Sequence, residues 1–162
     1  MERLARSRVP VAVDPKGEIA PFKGAALLKP NLREAQVLSG IAVRDRADLV
    51  RVAARLRRGI GGGAIAITRG GDGMSLFENS GAGIDVATPI QEVFDVQGAG
   101  DTTIAALVLA QRAGASLQEA AVIANAAAGT VVGKVGTATA TRDEVRAVLP
   151  RAISAARGEG RQ

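Results

Sequence analysis

An α/β fold, with helices packed on a largely parallel sheet, is what this sequence predicts, and three observations carry the prediction. Hydrophobic residues make up 47% of the 162, yet there are only three Phe and no Trp or Tyr, so the core must be built from Ala, Val, Leu and Ile. That composition suits helices on a parallel sheet. Short β-branched or apolar runs alternate along the chain with stretches that are apolar at helical spacing. Residues 92–113 (EVFDVQGAGDTTIAALVLAQRA) pass from a β-branched run through Gly98-Ala99-Gly100-Asp101 into an apolar helical pattern, so a strand feeds a glycine turn that opens a helix. The length is that of one domain, taken here as residues 1–162, with no internal repeat or linker.

Composition also removes whole classes of chemistry. With no Cys there are no disulfides or thiolate metal sites, and with no His there is neither an imidazole base nor an imidazole metal ligand. Acid–base work falls to Asp, Glu or Lys. The net charge of +5 is dispersed along the chain, and the stacking aromatics that accompany nucleic-acid binding are missing, so a solvated Arg-rich surface is expected rather than a nucleic-acid partner. No apolar run approaches the roughly 18 residues of a membrane span, and residues 1–10 have no signal-peptide apolar core. The expected location is cytoplasmic, with no membrane partner.

Taken in order, residues 9–13 (VPVAV) form a short strand stopped by the Asp14-Pro15-Lys16-Gly17 turn. Asp14 and Lys16 then lie at the carboxyl end of a strand, the edge where open α/β sheets bind ligands. Residues 25–28 (AALL) make a second short strand, followed by Asn31 and a helix over 32–38. Glu34 stands three residues after Asn31, the spacing of a capping box. The same two side chains would also suit a Mg²⁺-phosphate unit held through water, and the spacing alone leaves both readings open. Residues 47–58 carry Leu49, Val52, Ala53 and Leu56 on one helical stripe. Residues 64–68 (AIAIT) are a central strand, and Thr68-Arg69-Gly70-Gly71-Asp72-Gly73-Met74 is a glycine turn to the next strand, either plain turn chemistry or a backbone cradle for a nucleotide.

Residues 74–77, 84–88 and 92–96 complete the extended portion, with a turn over 79–83. Three helices follow, over 102–113, 117–132 and 142–156, the first almost wholly apolar and expected to be buried. The second is entered through Ser116 with Glu119 at capping-box spacing. Residues 133–139 form a loop. Asn125 interrupts an apolar helix interior, where a buried amide needs partners, either neighbouring backbone or a base. In the glycine turn, Gly98 and Gly100 lack the Cβ atoms that would keep a ligand from the backbone, and the first N–H groups of the following helix have no intrahelical partner. An anion fits there. Asp101 at the mouth reads either as the N-cap or as a proton acceptor for an attacking hydroxyl.

The ordered motifs N-L-R-E, T-R-G-G-D-G, D-V-Q-G-A-G-D, A-N-A-A-A-G and G-K-V-G-T closely resemble the carboxyl-terminal half of the ribokinase-like (PfkB-type) carbohydrate kinases. Within that family they are most similar to the branch that phosphorylates D-glycero-D-manno-heptose 7-phosphate on the way to ADP-heptose and lipopolysaccharide. The likeness runs from about Val9 to about Leu149. It implies a ribokinase-like three-layer αβα sheet, incomplete because the sugar-binding strands, the sugar-gripping glycine motif and the small β lid belong to the family's amino-terminal half. Asp101 is implied as the base that takes the proton of the sugar hydroxyl, with the backbone of Gly98, Ala99 and Gly100 as anion hole. Asn31 and Glu34 would organise Mg²⁺, Glu34 through water, and the phosphates of ATP. Thr68, Gly70 and Gly73 would line the nucleotide, with Asn125 beside the adenine and ribose. Asp95 and Gln97, with the 132–139 loop, match the place where relatives hold a monovalent cation such as K⁺, although the family usually has Thr at position 97. The implied partners are ATP and a sugar phosphate. The alternative is a non-catalytic nucleotide-binding or interaction module that dimerises through an exposed sheet edge.

Overall fold

A computed structural model describes residues 9–78, 81, 83–89, 98–134 and 138–158. Five short strands form one sheet in the order β1 (Ala12–Val13), β2 (Leu27–Leu28), β3 (Ala64–Thr68), β4 (Met74–Phe77) and β5 (Ile84–Val86). The first three are parallel, with Val13 opposite Leu28 and Leu28 opposite Ile65. Only Arg69–Gly73 separates β3 from β4, far too few residues for a parallel crossover, so the chain reverses there and the sheet is mixed. β1, β2 and β5 are shorter than the sequence predicts. The stretches around them are extended but leave the ladder after two or three residues. The strand predicted over 92–96 lies outside the described residues.

The chain divides into two compact units, each with its own packing. The first comprises Met1–Arg69 with Ser75–Ile84. In it, helix α1 (Leu32–Ser39) and helix α2 (Arg46–Ile60) cover the sheet. α2 is predicted over 47–58 and gains a residue at its start because Asp45 caps it, Oδ1 accepting from the Asp48 N–H at 2.8 Å. It ends in a Schellman turn, with Gly62 N donating to Arg57 O and Gly61 N to Arg58 O. The apolar stripe read from the sequence buries Leu49, Val52, Ala53 and Leu56 against Leu28, Ile65, Ile67 and Phe77.

The second unit comprises Gly70–Met74 with Asp85–Gln162. Helices α3 (Ala99–Arg112), α4 (Leu117–Val132) and α5 (Arg142–Ala156) make up most of it. α4 is lined with Ala120, Ala121, Ala124 and Ala127, all buried, and such small side chains let neighbouring helices approach closely. Two expectations for α3 are corrected. It starts at Ala99 rather than Thr102, because Gly98 adopts the left-handed conformation (φ 77°) and serves as N-cap itself. It is also not buried throughout, since Ala105 and Leu109 are exposed, Leu109 at 71%. Among the described residues no helix is long and apolar enough to cross a membrane.

Candidate active site

In the first unit the carboxyl ends of β1, β2 and β3 carry a compact polar cluster. Asn31 follows β2 and caps α1, its Oδ1 accepting from the Glu34 N–H at 2.8 Å while Glu34 Oε2 accepts from the Asn31 N–H at 2.8 Å. The capping box read from the sequence is thus formed. Thr68 is beside it: Asn31 and Thr68 make a parallel bridge, and the Thr68 N–H donates to Pro30 O at 3.0 Å. Lys16, from the turn after β1, donates to Glu34 Oε1 at 3.0 Å. Partial burial works against the charge on Glu34, but the Asn31 N–H and the Lys16 ammonium outweigh it, with Lys29 adding at longer range, and hold the carboxyl below its ordinary value.

Two members of this cluster carry more than the sequence revealed. Lys29 is almost fully buried and pairs with Asp14 Oδ2 at 3.2 Å, while Asp14 Oδ1 is buried without a hydrogen-bond partner. A buried ammonium needs a paired carboxylate. The parallel register supplies it, because Asp14 and Lys29 each come one residue after the Val13–Leu28 pair. A charged residue directly after an apolar strand that predicts no surface turn is the signal that could have found Lys29.

In the second unit Asp101 is the third residue of α3 rather than its cap, and it is exposed. Gly98, Ala99 and Gly100 precede it as the cap and the first two helical residues, half-buried, with the free N–H groups of a helix start. Thr103 Oγ1 donates to Ala99 O at 2.6 Å and braces that first turn. Asn125 is buried in α4, and its amide donates to Val86 O at 3.2 Å and Ala87 O at 3.1 Å. Its NH₂ is therefore committed to neighbouring backbone, the first of the two alternatives open to it.

The two nucleotide-loop glycines differ. A Cβ on Gly73 would come within 2.1 Å of Val86 O, the same carbonyl that Asn125 holds, whereas one on Gly70 would meet nothing within 4 Å. Gly73 is a glycine for packing, and Gly70 leaves open space. Asp95, Gln97 and residues 135–137 of the loop lie outside the described residues. Among those described, no group of three or more acidic side chains could hold a metal ion by itself. Both carboxylate oxygens of Glu34 are engaged within the protein, Oε1 by the Lys16 ammonium and Oε2 by the Asn31 N–H.

The model of the pfkB family of carbohydrate kinases matches residues 2–144. The chain belongs to that family. It is 49% identical over 144 residues to the bifunctional protein HldE of Geobacter metallireducens, covering 88% of this chain and 29% of that protein. It is 39% identical to HldE of Trichlorobacter lovleyi, covering 98% of this chain and 36% of that one. The chain thus spans about a third of the length of these curated relatives. Among solved structures, Arabidopsis thaliana ribokinase complexed with ribose and ATP matches with a TM-score of 0.78 at 27% identity, over 87% of this chain and 47% of that one. Thermotoga maritima ribokinase matches with a TM-score of 0.80 at 24% identity, over 92% and 52% of the two chains, which shows the shared fold. The ribokinase-like α/β architecture expected from the motifs is therefore the fold of this chain.

Proposed function

We propose that residues 1–162 are the nucleotide-binding and catalytic portion of an ATP-dependent sugar kinase whose acceptor is a heptose phosphate. The observation that carries this reading is the start of α3, where a left-handed glycine cap presents free N–H groups beside an exposed carboxylate. Asp101 takes the proton from the acceptor hydroxyl as its oxygen attacks the γ-phosphorus. The bond to the departing ADP breaks as the new P–O bond forms. The N–H groups of Ala99 and Gly100 receive the charge that develops on the transferred group, a step that needs positioning and electrostatics rather than an imidazole. Asn31, capped against Glu34 and bridged to Thr68, holds the phosphate end, and its side-chain NH₂ has no described partner to compete with a ligand. Mg²⁺ bound with the nucleotide would neutralise phosphate charge, with Glu34 as its water-mediated anchor. Gly70, with open space before it, is where the nucleotide approaches the backbone.

The heptose acceptor rests on the HldE relatives, and the ATP donor on the nucleotide held by the Arabidopsis ribokinase. The test is calorimetric titration of the chain with Mg-ATP, followed by an ADP-release assay with heptose 7-phosphate after adding a chain that spans the remaining kinase portion of an HldE relative. The expected result is ATP binding by this chain and turnover only in the combined sample. Asp101→Asn should cost about 10²–10⁴ in rate, the scale of a lost general base, and leave ATP affinity within about twofold. An Asp101→Asn variant that turns over normally, or a chain that does not bind Mg-ATP, would refute the assignment. ATP binding with no turnover in any combination would identify a nucleotide-binding module instead.

A further inference from the structure

At the opposite edge of the sheet from Asn31 and Thr68, where Gly61 and Gly62 lead into the amino end of β3, the first unit contains a cavity of about 420 Å³. That volume lies within the range of small-molecule sites. Its floor is apolar, made by Val50, Ala53 and Ala54 of α2 together with Phe77 at the end of β4, and its charged lining is cationic, Arg57 and Arg58. Neither guanidinium has a hydrogen-bond or ion-pair partner among the described residues, and the Nε–H of Arg57 is buried without one. A solvated arginine surface explains Arg55, which is exposed on the same helix. It does not explain a half-buried, unneutralised Arg57 over a concave apolar floor.

We infer that this cavity binds a small amphipathic anion, a carboxylate or phosphate head on an apolar body. The head pairs with Arg57 and Arg58, whose planar guanidinium groups match an oxyanion. The body lies over Val50 and Ala54, above the buried Ala53 and Phe77. The carbonyls of Arg57 and Arg58 are engaged by the N–H groups of Gly62 and Gly61, which lessens the negative end of α2 that the head group meets. The site lies away from the sheet edge assigned to the nucleotide and stands or falls independently of that assignment.

The test is titration of the ¹⁵N-labelled chain with phenyl phosphate, and with inorganic phosphate as the head group alone, followed in ¹H–¹⁵N correlation spectra. Phenyl phosphate should shift the amides of Ala54, Arg57, Gly61 and Gly62 to saturation, and inorganic phosphate should bind the same amides more weakly. Arg57→Met should weaken phenyl phosphate binding about tenfold, the worth of one charged hydrogen bond. Ala54→Glu, at an exposed position, should do so at least as strongly without lowering the melting temperature. Saturable shifts confined to 31–34 and 98–101, equal affinity for the two probes, or unchanged affinity in both variants would overturn the inference.

Discussion

Replacing Gly73 by alanine puts a Cβ 2.1 Å from Val86 O, 2.9 Å from Thr88 N and 3.0 Å from Ala87 C, at a position whose φ is +82°. All three neighbours are backbone, so no side chain can swing aside. The left-handed conformation costs an L-residue about 1–2 kcal/mol, and forcing atoms into packed structure adds about 1–3 kcal/mol. The sum, about 2–5 kcal/mol, is a large part of the 5–15 kcal/mol typical of a domain. Gly70 provides the control three residues earlier, with φ +59° and nothing within 4 Å of its hypothetical Cβ. Gly70→Ala should therefore lose only the conformational part, about 1–2 kcal/mol. Urea denaturation of both variants measures the difference, expected as a midpoint about 1 M lower for Gly73→Ala at an ordinary urea slope. Coincident midpoints would show that the carbonyls of residues 86 and 87 yield to the methyl group and that Gly73 is not there for packing.

Two further outcomes follow from the ion pairs. Lys29→Met removes the partner of Asp14 and leaves a largely buried carboxylate, an error that costs about 3 kcal/mol in comparable sites; chemical denaturation should show it, and Asp14→Asn in the same chain should recover part of the loss. Glu144 is held down to about 2, first by the Lys134 ammonium and then by the Thr141 N–H and hydroxyl. A depressed carboxylate stabilises the fold above its unfolded value of 4.5 and ceases to do so as pH falls from there toward 2. Carboxyl ¹³C titration should place Glu144 near 2, and Lys134→Met should move it upward toward 4.5; an unchanged titration in that variant would remove Lys134 as the main cause.

What could be read from the sequence was governed by distance along the chain. The Asn31–Glu34 and Ser116–Glu119 capping boxes were visible because each joins a side chain to backbone three residues away. The α2 stripe was visible because it repeats with the helix itself. Aspartate is the commoner cap, so the sequence favours Asp101 with a start at Thr102, whereas the left-handed φ of Gly98 sets the cap three residues earlier. The Lys29–Asp14 pair was not visible, since fifteen positions separate its members and only the β1–β2 register unites them. The same holds for Asn125 and Gly73, which converge on the Val86 carbonyl from separate elements. The family motifs nevertheless pointed to the fold, because they record in order the places where such distant contacts occur.

The parallel pairing of β2 with β3 also has a kinetic side. Leu28 and Ile65 are joined only after the whole of α1 and α2 has been laid down between them, whereas the capping boxes of α1, α4 and α5 close within one helical turn. Loop-closure entropy is small for the latter and substantial for the former. The helix boundaries can be decided early and locally, but the sheet edge bearing Asn31, Thr68 and the Lys29–Asp14 pair exists only once the slow, long-range step is complete.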